Sequence, residues 1–360
     1  MKATSSADQH LSGPRVSIVI LNWNGLRDTL ECLRSVDDLT YIGFEVIVVD
    51  NGSHDGSQEA LRSQYPGLMV IENGRNLGYA GGNNIGIRHA FERGADYIWL
   101  LNNDTVVDNE CLSRLVMVAE SDEKLGLLSP AVYDFPLRSR LKWAGTKFDR
   151  SEVRFVSLTE ISRHPDSNVE GPLVLWGTAL LVRRSVVEEV GYLDERYFAY
   201  LEDYDYSLRA IERGVATRVV GDARVYHKSA RSLGENSPVR YYLRARNLYL
   251  VSRLHSARPW GPVVAMKYVA RVLADALDAS EVCGSEQAAA CLDGMWNAFR
   301  GRFGDWSKRQ SIPRPLRIIL MWRPYLWMWV LEGRIWAILP ELVARTRRML
   351  FGSSDGRDRG

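Results

Sequence analysis

The chain has 360 residues, 46% apolar and 25% charged, a globular composition long enough for one large domain with an addition, or for two domains. Lys and Arg total 46 against 44 Asp and Glu, and a formal charge of +2 excludes the strongly basic balance of a nucleic-acid binder. Four cysteines, Cys32, Cys111, Cys283 and Cys291, show no CxxC pairing and read as reduced, mostly buried thiols in helices rather than as disulfides or a zinc site.

Residues 1–14, "MKATSSADQHLSGP", lack the apolar stretch of a signal peptide and read as a disordered leader. From 16 to about 132 strands and helices alternate. Residues 16–21 and 44–49 read as strands, with a helix around Leu26, Leu30 and Leu33 between them. Strands at 68–71 and 97–101 follow, separated by a helix over 83–93 that Gly94 ends. A helix over 109–120 leads to a strand near 125–132. Residues 133–170 are polar and read as irregular. "LVLWGTALLVRRSVVEEVG" then predicts a strand and a helix, and "EDYDYSLRAIERG" a second helix stopped by Gly214. A strand over 217–226 ends at His227, and beyond about Ser237 helices take over. The pattern predicts an α/β domain over 15–235 with a mainly parallel sheet flanked by helices. A helical region over 236–351 and a disordered tail over 352–360 complete the chain.

In such sheets ligands sit outside the carboxyl ends of the strands, so the residues that follow each strand are the candidates. After the first come Asn22, Trp23 and Asn24; after the second, "DNGSHDGS" from Asp50; after the third, "NGRNLGYAGGNN". The fourth, "YIWLL", ends abruptly in Asn102, Asn103 and Asp104, with no glycine or proline among them. Asp50 suits a ribose hydroxyl or the N3–H of a pyrimidine; "DNGSHDGS" equally suits a turn in which Asp55 or Ser57 caps the next helix. The single glycine of "NWNGLRD" argues against a dehydrogenase, which needs GxGxxG at that place. In "NLGYAGGNNIG", Gly78, Gly81 and Gly82 precede a helix and suit close approach of an anion, although no GK[ST] follows to make a P-loop. Asp104 at a strand tip suits Mg²⁺ or Mn²⁺ shared with phosphate oxygens, and His227 is a further candidate ligand, imidazole favouring Mn²⁺. Glu202, Asp203 and Asp205 lie in the first turn of a helix, where they either complement the helix dipole or carry a catalytic base.

Six stretches, "VSIVILNWNG", "VIVVDNGSHDGS", "NLGYAGGNNIG", "LLNNDT", "WGTALLVRRS" and "YFAYLEDYDYSLRAIERG", together resemble the family 2 glycosyltransferases. These are inverting enzymes of the GT-A fold, and the likeness is to the branch of rhamnosyltransferases of cell-surface polysaccharides. It covers about 16 to 214. The resemblance implies a nucleoside-diphosphate sugar as donor, leaning towards dTDP-rhamnose, and a hydroxyl of a saccharide or lipid-linked acceptor. It places Asn22, Asn24, Asp50, Asn76, Gly78, Gly82, Asn83 and Asn103 on the donor side and Trp176, Gly177 and Glu202 on the acceptor side. It implies metal–diphosphate binding at Asn102-Asn103-Asp104, a variant of the family's DXD, with Asp203 as general base; in some members a histidine matching His227 completes the metal site. Many members carry Asp where Asn102 stands, so here the metal rests on Asp104 and His227 with water and phosphate.

A catalytically silent glycan-binding or scaffold subunit is the competing reading, disfavoured by the joint presence of Asp104, Asp203 and His227. A nucleotidyltransferase would carry its glycine-rich basic signature where "NWNG" stands. The resemblance leaves 237–360 unexplained. Residues 301–350 hold ten Lys/Arg against three Asp/Glu and five of the eleven Trp. Over 312–351, Trp322, Trp327, Trp329 and Trp336 mix with aliphatics and arginines, a pattern that suits peripheral contact with the inner face of a cell membrane or packing in a homo-oligomer. Neither end segment reads as a membrane span, and a cytoplasmic protein is expected.

Overall fold

The computed structural model describes residues 13–159, 171–228, 234 and 236–322. Strand β1 (Val16–Asn22) leads through α1 (Leu26–Asp37) to β2 (Phe44–Asp50), and the step repeats through α2 (Ser57–Gln64), β3 (Met69–Glu72), α3 (Gly78–Glu92) and β4 (Tyr97–Asn102). Next come β5 (Thr105–Val107), α4 (Cys111–Glu120), β6 (Leu125–Asp134), β7 (Leu141–Trp143), β8 (Thr146–Asp149), β9 (Arg154–Ser157) and β10 (Leu173–Val174). Then follow β11 (Ala179–Arg183), α5 (Arg184–Val190), α6 (Glu202–Ile211) and β12 (Ala216–His227). The remainder is helical: α7 (Pro238–His255), α8 (Pro262–Val282), α9 (Ser285–Phe299) and α10 (Arg314–Trp322).

β1, β2 and β4 are apolar almost throughout and buried on both faces, as strands in the middle of a helix-covered sheet must be. The nine-stranded sheet runs β3-β2-β1-β4-β11-β6-β12-β5, with β7 paired to β6. β11 runs antiparallel between β4 and β6, and β5 antiparallel to β12, so the mainly parallel sheet is mixed. The stretch 133–159, read from sequence as irregular, carries β7 to β9, and β10-β8-β9 form a small second sheet. Strands of two to four residues are too short to show a period in the sequence.

α3 begins at Gly78, ahead of the expected start at 83, so the glycines lie inside the helix. They let it lie close on β1: a Cβ at Gly86 would sit 2.3 Å from Val19 Cγ1, and one at Gly82 would sit 2.4 Å from Leu21 Cδ1. Gly82 is therefore a helix–sheet packing residue in the first place.

The apolar core does not stop at residue 235. A second cluster joins Phe148, Tyr197, Tyr204 and Leu208 to Leu248, Val251, Tyr268, Leu292 and Met295 of α7, α8 and α9. Ile312 is buried in it, and Leu316 and Leu320 pack against it, so the first part of the basic, Trp-rich segment docks on the protein's own core. Residues 323–351, with Trp327, Trp329 and Trp336, lie outside the described residues, as do residues 1–12 of the leader and the tail. Among the described residues no helix is long and apolar enough to cross a membrane. All four cysteines are free; Cys32, Cys111 and Cys291 are buried in α1, α4 and α9, and Cys283 lies just past α8.

The α3–β1 contact is testable. Gly86→Ala gains up to about 1 kcal/mol of helix propensity, yet overpacking against Val19 is expected to outweigh it and lower stability by about 1–3 kcal/mol in urea denaturation. An unchanged midpoint would show that the contact yields.

Candidate active site

The tips of β1, β2 and β4 are joined by a buried polar network. Asn22 Nδ2 donates to Asp50 Oδ2 at 2.9 Å and to Ser53 Oγ at 3.1 Å, while its Oδ1 accepts from Thr29 Oγ1 at 2.8 Å and Asn103 Nδ2 at 3.4 Å. Asp50 also accepts from the Ser53 backbone N–H and from Gln58 Nε2. Burial works to raise its pKa, but these donors outweigh it and hold the carboxyl below the ordinary aspartate value. Asn24, with φ of 49°, accepts from the His54 N–H, and Asp55 accepts from the backbone N–H groups of Leu26 and Ser57, tying α1 to α2.

On α3, Asn83 Nδ2 donates to the Tyr79 carbonyl, and Asn76 accepts from the Gly78 N–H and from Asn51. Asn51 went unassigned in the sequence reading. Its amide donates to Asn76 and the Gly78 carbonyl and accepts from Asn73 and the Leu77 N–H, so it clasps the whole turn before α3. Its signal was its place directly after Asp50.

Asp104 and His227 meet because β5 pairs with β12 in a register that sets His227 opposite Thr105. His227 Nε2 lies 3.1 Å from Asp104 Oδ1, and the Lys228 N–H donates to the Asp104 carbonyl. Asp104 is 6% exposed. Burial acts to raise its pKa, but the imidazole's charge and hydrogen bond prevail and keep it below the ordinary value. His227 Nδ1 is buried without a hydrogen-bond partner. One carboxylate and one imidazole facing each other at strand tips form a donor pair that suits Mn²⁺ or Mg²⁺ completed by phosphate and water. Among the described residues no third His, Cys, Asp or Glu joins them. Lys228, with its ammonium held by Asp28 and Glu31, fastens this end of β12 to α1.

The acidic cluster divides by role. Asp205 is wholly buried and bonded to Arg209, His255 and Tyr197, a structural anchor between α6 and α7. Asp203 is held differently: its Oδ2 accepts from the Gly177 N–H at 2.7 Å and its Oδ1 from the Tyr204 N–H. Burial pushes its pKa up to about 6, with Gly177, Tyr204 and the charge of Arg244 on α7 working the other way. Glu202 beside it is pushed well above the ordinary glutamate value by burial and by the Asp203 charge, and its Oε2 is buried with no hydrogen-bond partner. Trp176 stacks on Trp143 at 4.8 Å between ring centroids, and its indole N–H donates to the Tyr204 hydroxyl.

Tyr79 links the two sides. Its hydroxyl donates to the Gly177 carbonyl at 2.6 Å, while the other face of that glycine carries the N–H bonded to Asp203. A side chain at Gly177 would meet the Tyr79 hydroxyl at 2.7 Å. Burial first, then the charges of Glu202, Asp203 and Asp104, push the phenol well above its ordinary pKa, so it stays a neutral donor. All three carboxyls thus lie within electrostatic reach of one ring. Tyr79 stands in the glycine motif, but nothing in its spacing marks it. A separate open depression of about 490 Å³ runs along α1, lined by Asn24, Arg27, Arg34 and Asp55 among others; neither Asp104 nor Asp203 lines it.

Residues 17–191 match the family model described as glycosyl transferase family 2. A low-salt glycan biosynthesis hexosyltransferase of Haloferax volcanii is 25% identical over 66% of this chain and 75% of its own length. A dTDP-rhamnosyl transferase of Shigella flexneri is 28% identical over 65% and 79%. An N-acetylglucosaminyl-diphospho-decaprenol L-rhamnosyltransferase of Mycobacterium tuberculosis is 29% identical over 53% and 68%. Among solved structures, a mannosyltransferase from Pyrobaculum calidifontis in complex with GDP-Man and Mn²⁺ aligns over 94% of this chain and 88% of its own, with a TM-score of 0.51 and 17% identity. S. aureus TarS 1-349 in complex with UDP-GlcNAc aligns over 89% and 88%, with a TM-score of 0.55 and 14% identity. The strand-tip network, the Asp104–His227 pair and the family match converge: the chain is a glycosyltransferase, built on a family 2 domain of the GT-A fold.

Proposed function

We propose that this chain transfers L-rhamnose from dTDP-rhamnose, with inversion, to a hydroxyl of a saccharide or lipid-linked acceptor in the synthesis of a cell-surface polysaccharide. The observation that carries the reading is the pair of held carboxylates, Asp104 with His227 Nε2 at 3.1 Å on the strand tips and Asp203 with the Gly177 N–H at 2.7 Å. The relatives named as rhamnosyltransferases support the choice of sugar. Asn22, Asn24, Asp50, Asn76, Gly78, Gly82, Asn83 and Asn103 form the donor side, the internal hydrogen bonds of Asn22 and Asp50 setting its shape. Asp104 and His227 would hold Mg²⁺ or Mn²⁺, which would supply positive charge against the leaving diphosphate.

Asp203 takes the proton of the acceptor hydroxyl as that oxygen bonds to the anomeric carbon. The bond to the diphosphate breaks on the opposite face, and the diphosphate leaves with the electron pair. A base with a pKa of about 6 is ionised at neutral pH yet basic enough to accept the proton. Trp176, Gly177 and Glu202 border the acceptor, and Gly177 aims the base.

Three outcomes are expected. Asp104→Ala or EDTA abolishes dTDP release from dTDP-rhamnose without loss of the folded state, and dTDP-rhamnose at about 100 times its Kd stabilises the wild type by about 2.7 kcal/mol; an active alanine variant overturns the metal site. Asp203→Asn lowers turnover by about 10²–10⁴-fold. Its pH dependence carries a sign. A carboxyl raised from 3.8 to about 6 on folding binds more protons folded than unfolded, so wild-type stability falls as pH rises through that window, by up to about 3 kcal/mol. Asp203→Asn lacks this fall, while wild-type kcat/KM rises through pH 6. Parallel pH profiles of stability for the two proteins overturn the assignment. Third, contact with anionic membranes through residues 323–351 gives flotation of the full chain on anionic vesicles and none for a chain ending at Trp322; equal flotation rejects it.

A further inference from the structure

The segment that launches α6 is strained. Phe198, Tyr200 and Leu201 have φ of 63°, 69° and 71°, three non-glycine residues in the left-handed region within four positions, and Asp203 follows two residues later. Such a run persists only where neighbours over-determine it. Here α3 and α7 are those neighbours. Ala80 N–H donates to the Phe198 carbonyl at 3.1 Å, and Gly78, with φ of 76°, has no room for a Cβ against that same carbonyl oxygen, 2.4 Å away. From the other side comes α7, in the helical region that the family match does not reach. Asn247, with no exposed surface, directs its side-chain amide at the carbonyls of Tyr197, Ala199 and Tyr200, at 2.9, 2.8 and 2.7 Å. Arg246, equally buried, donates to the carbonyls of Tyr197 and Gly304, and its Nε–H donates to Asn247 Oδ1, which fixes the amide's orientation.

We propose that Asn247, oriented by Arg246, is a positioning residue for the catalytic base: it collects three carbonyls of the turn 197–201, interleaved with its left-handed residues, and so sets the direction in which α6 presents Asp203. The proposal rests on Asp203 being the base. An amide has two hydrogens for three carbonyls, so a shared hydrogen draws them to one point, and no other described side chain makes these three contacts. Regular helix geometry does not fix these three, because of the carbonyls from 197 to 201 only that of Leu201 enters the α6 ladder, accepting from the Asp205 N–H. The Arg246 guanidinium is itself fixed, by these carbonyls and by the rings of Tyr242 and Phe303.

The test is a cycle of Asn247→Leu, Asp203→Asn and the double variant. Turnover is read as dTDP release from dTDP-rhamnose with an N-acetylglucosaminyl-diphospho-lipid as acceptor, and donor affinity by calorimetry. Asn247→Leu is expected to lower kcat by about 10²-fold, the scale of a displaced base, with the Kd for dTDP-rhamnose unchanged within about threefold, and to move the acid limb of kcat/KM away from that of the wild type. In the double variant the loss should not exceed that of Asp203→Asn, since groups acting as one unit are not additive. Losses that multiply, or an acid limb that stays in place while only the melting temperature falls, overturn the proposal and leave the base intact. Asp203→Asn turning over at the wild-type rate overturns both. If Asn247→Leu does not fold, Asn247→Ser, which keeps one donor, runs through the same cycle with the same criteria.

Discussion

Asn22 is the residue on which the strand-tip network depends. It stands at the tip of β1 with no surface exposed, and its one amide joins Asp50, Ser53, Thr29 and Asn103. The strands end in an apolar sheet, and beyond their last residues no ladder exists to fix a polar side chain. A buried amide that satisfies both its donors and its acceptor supplies that order locally, and its removal would take from Asp50 Oδ2 and from the Thr29 hydroxyl hydrogen their hydrogen-bond partners, at about 1–3 kcal/mol apiece. The same logic recurs in Asn51 at the turn before α3 and in Asn247 below α6. Three asparagines, two at strand ends and one in the middle of α7, set three loops.

Charge is handled differently on the two sides. Around Asp104 and Asp50, hydrogen bonds and an imidazole favour the ionised carboxyl. Around Glu202 and Asp203, burial and mutual repulsion disfavour it. One fold thereby keeps carboxylates of opposite character near a single tyrosine, an arrangement that suits cation binding on one side and proton transfer on the other.

Much of this was legible in the sequence. Uninterrupted apolar runs marked β1, β2 and β4, and the polar residues after them marked Asn22, Asp50 and Asp104, because a strand buried on both faces leaves only its tips for chemistry. His227 at its strand end was a candidate partner of Asp104 from the residues and more so from the family likeness; geometrically their meeting, 123 positions apart in sequence, depends on the three-residue β5 pairing with β12. Short strands carry no period, which also hid β7 to β10. The antiparallel insertion of β11 is invisible locally, since its residues would serve a parallel strand equally well. Gly82 and Gly86 read as ligand-approach or helix residues until their packing on Leu21 and Val19 is seen. Tyr79, Arg246 and Asn247 lay inside stretches already read as helix and loop, with nothing in type or spacing to separate them from their neighbours.

The continuity of the second core across residue 235 has a consequence for how such chains can diverge. Phe148, Tyr197, Tyr204 and Leu208 share one apolar cluster with α7, α8 and α9. Recombination that joined a new C-terminal half at 235 would place foreign side chains against these four and against Asp205, whose partner His255 comes from α7. The helical half and α6 are therefore one unit of packing, and a change on either side of that seam is felt on the other.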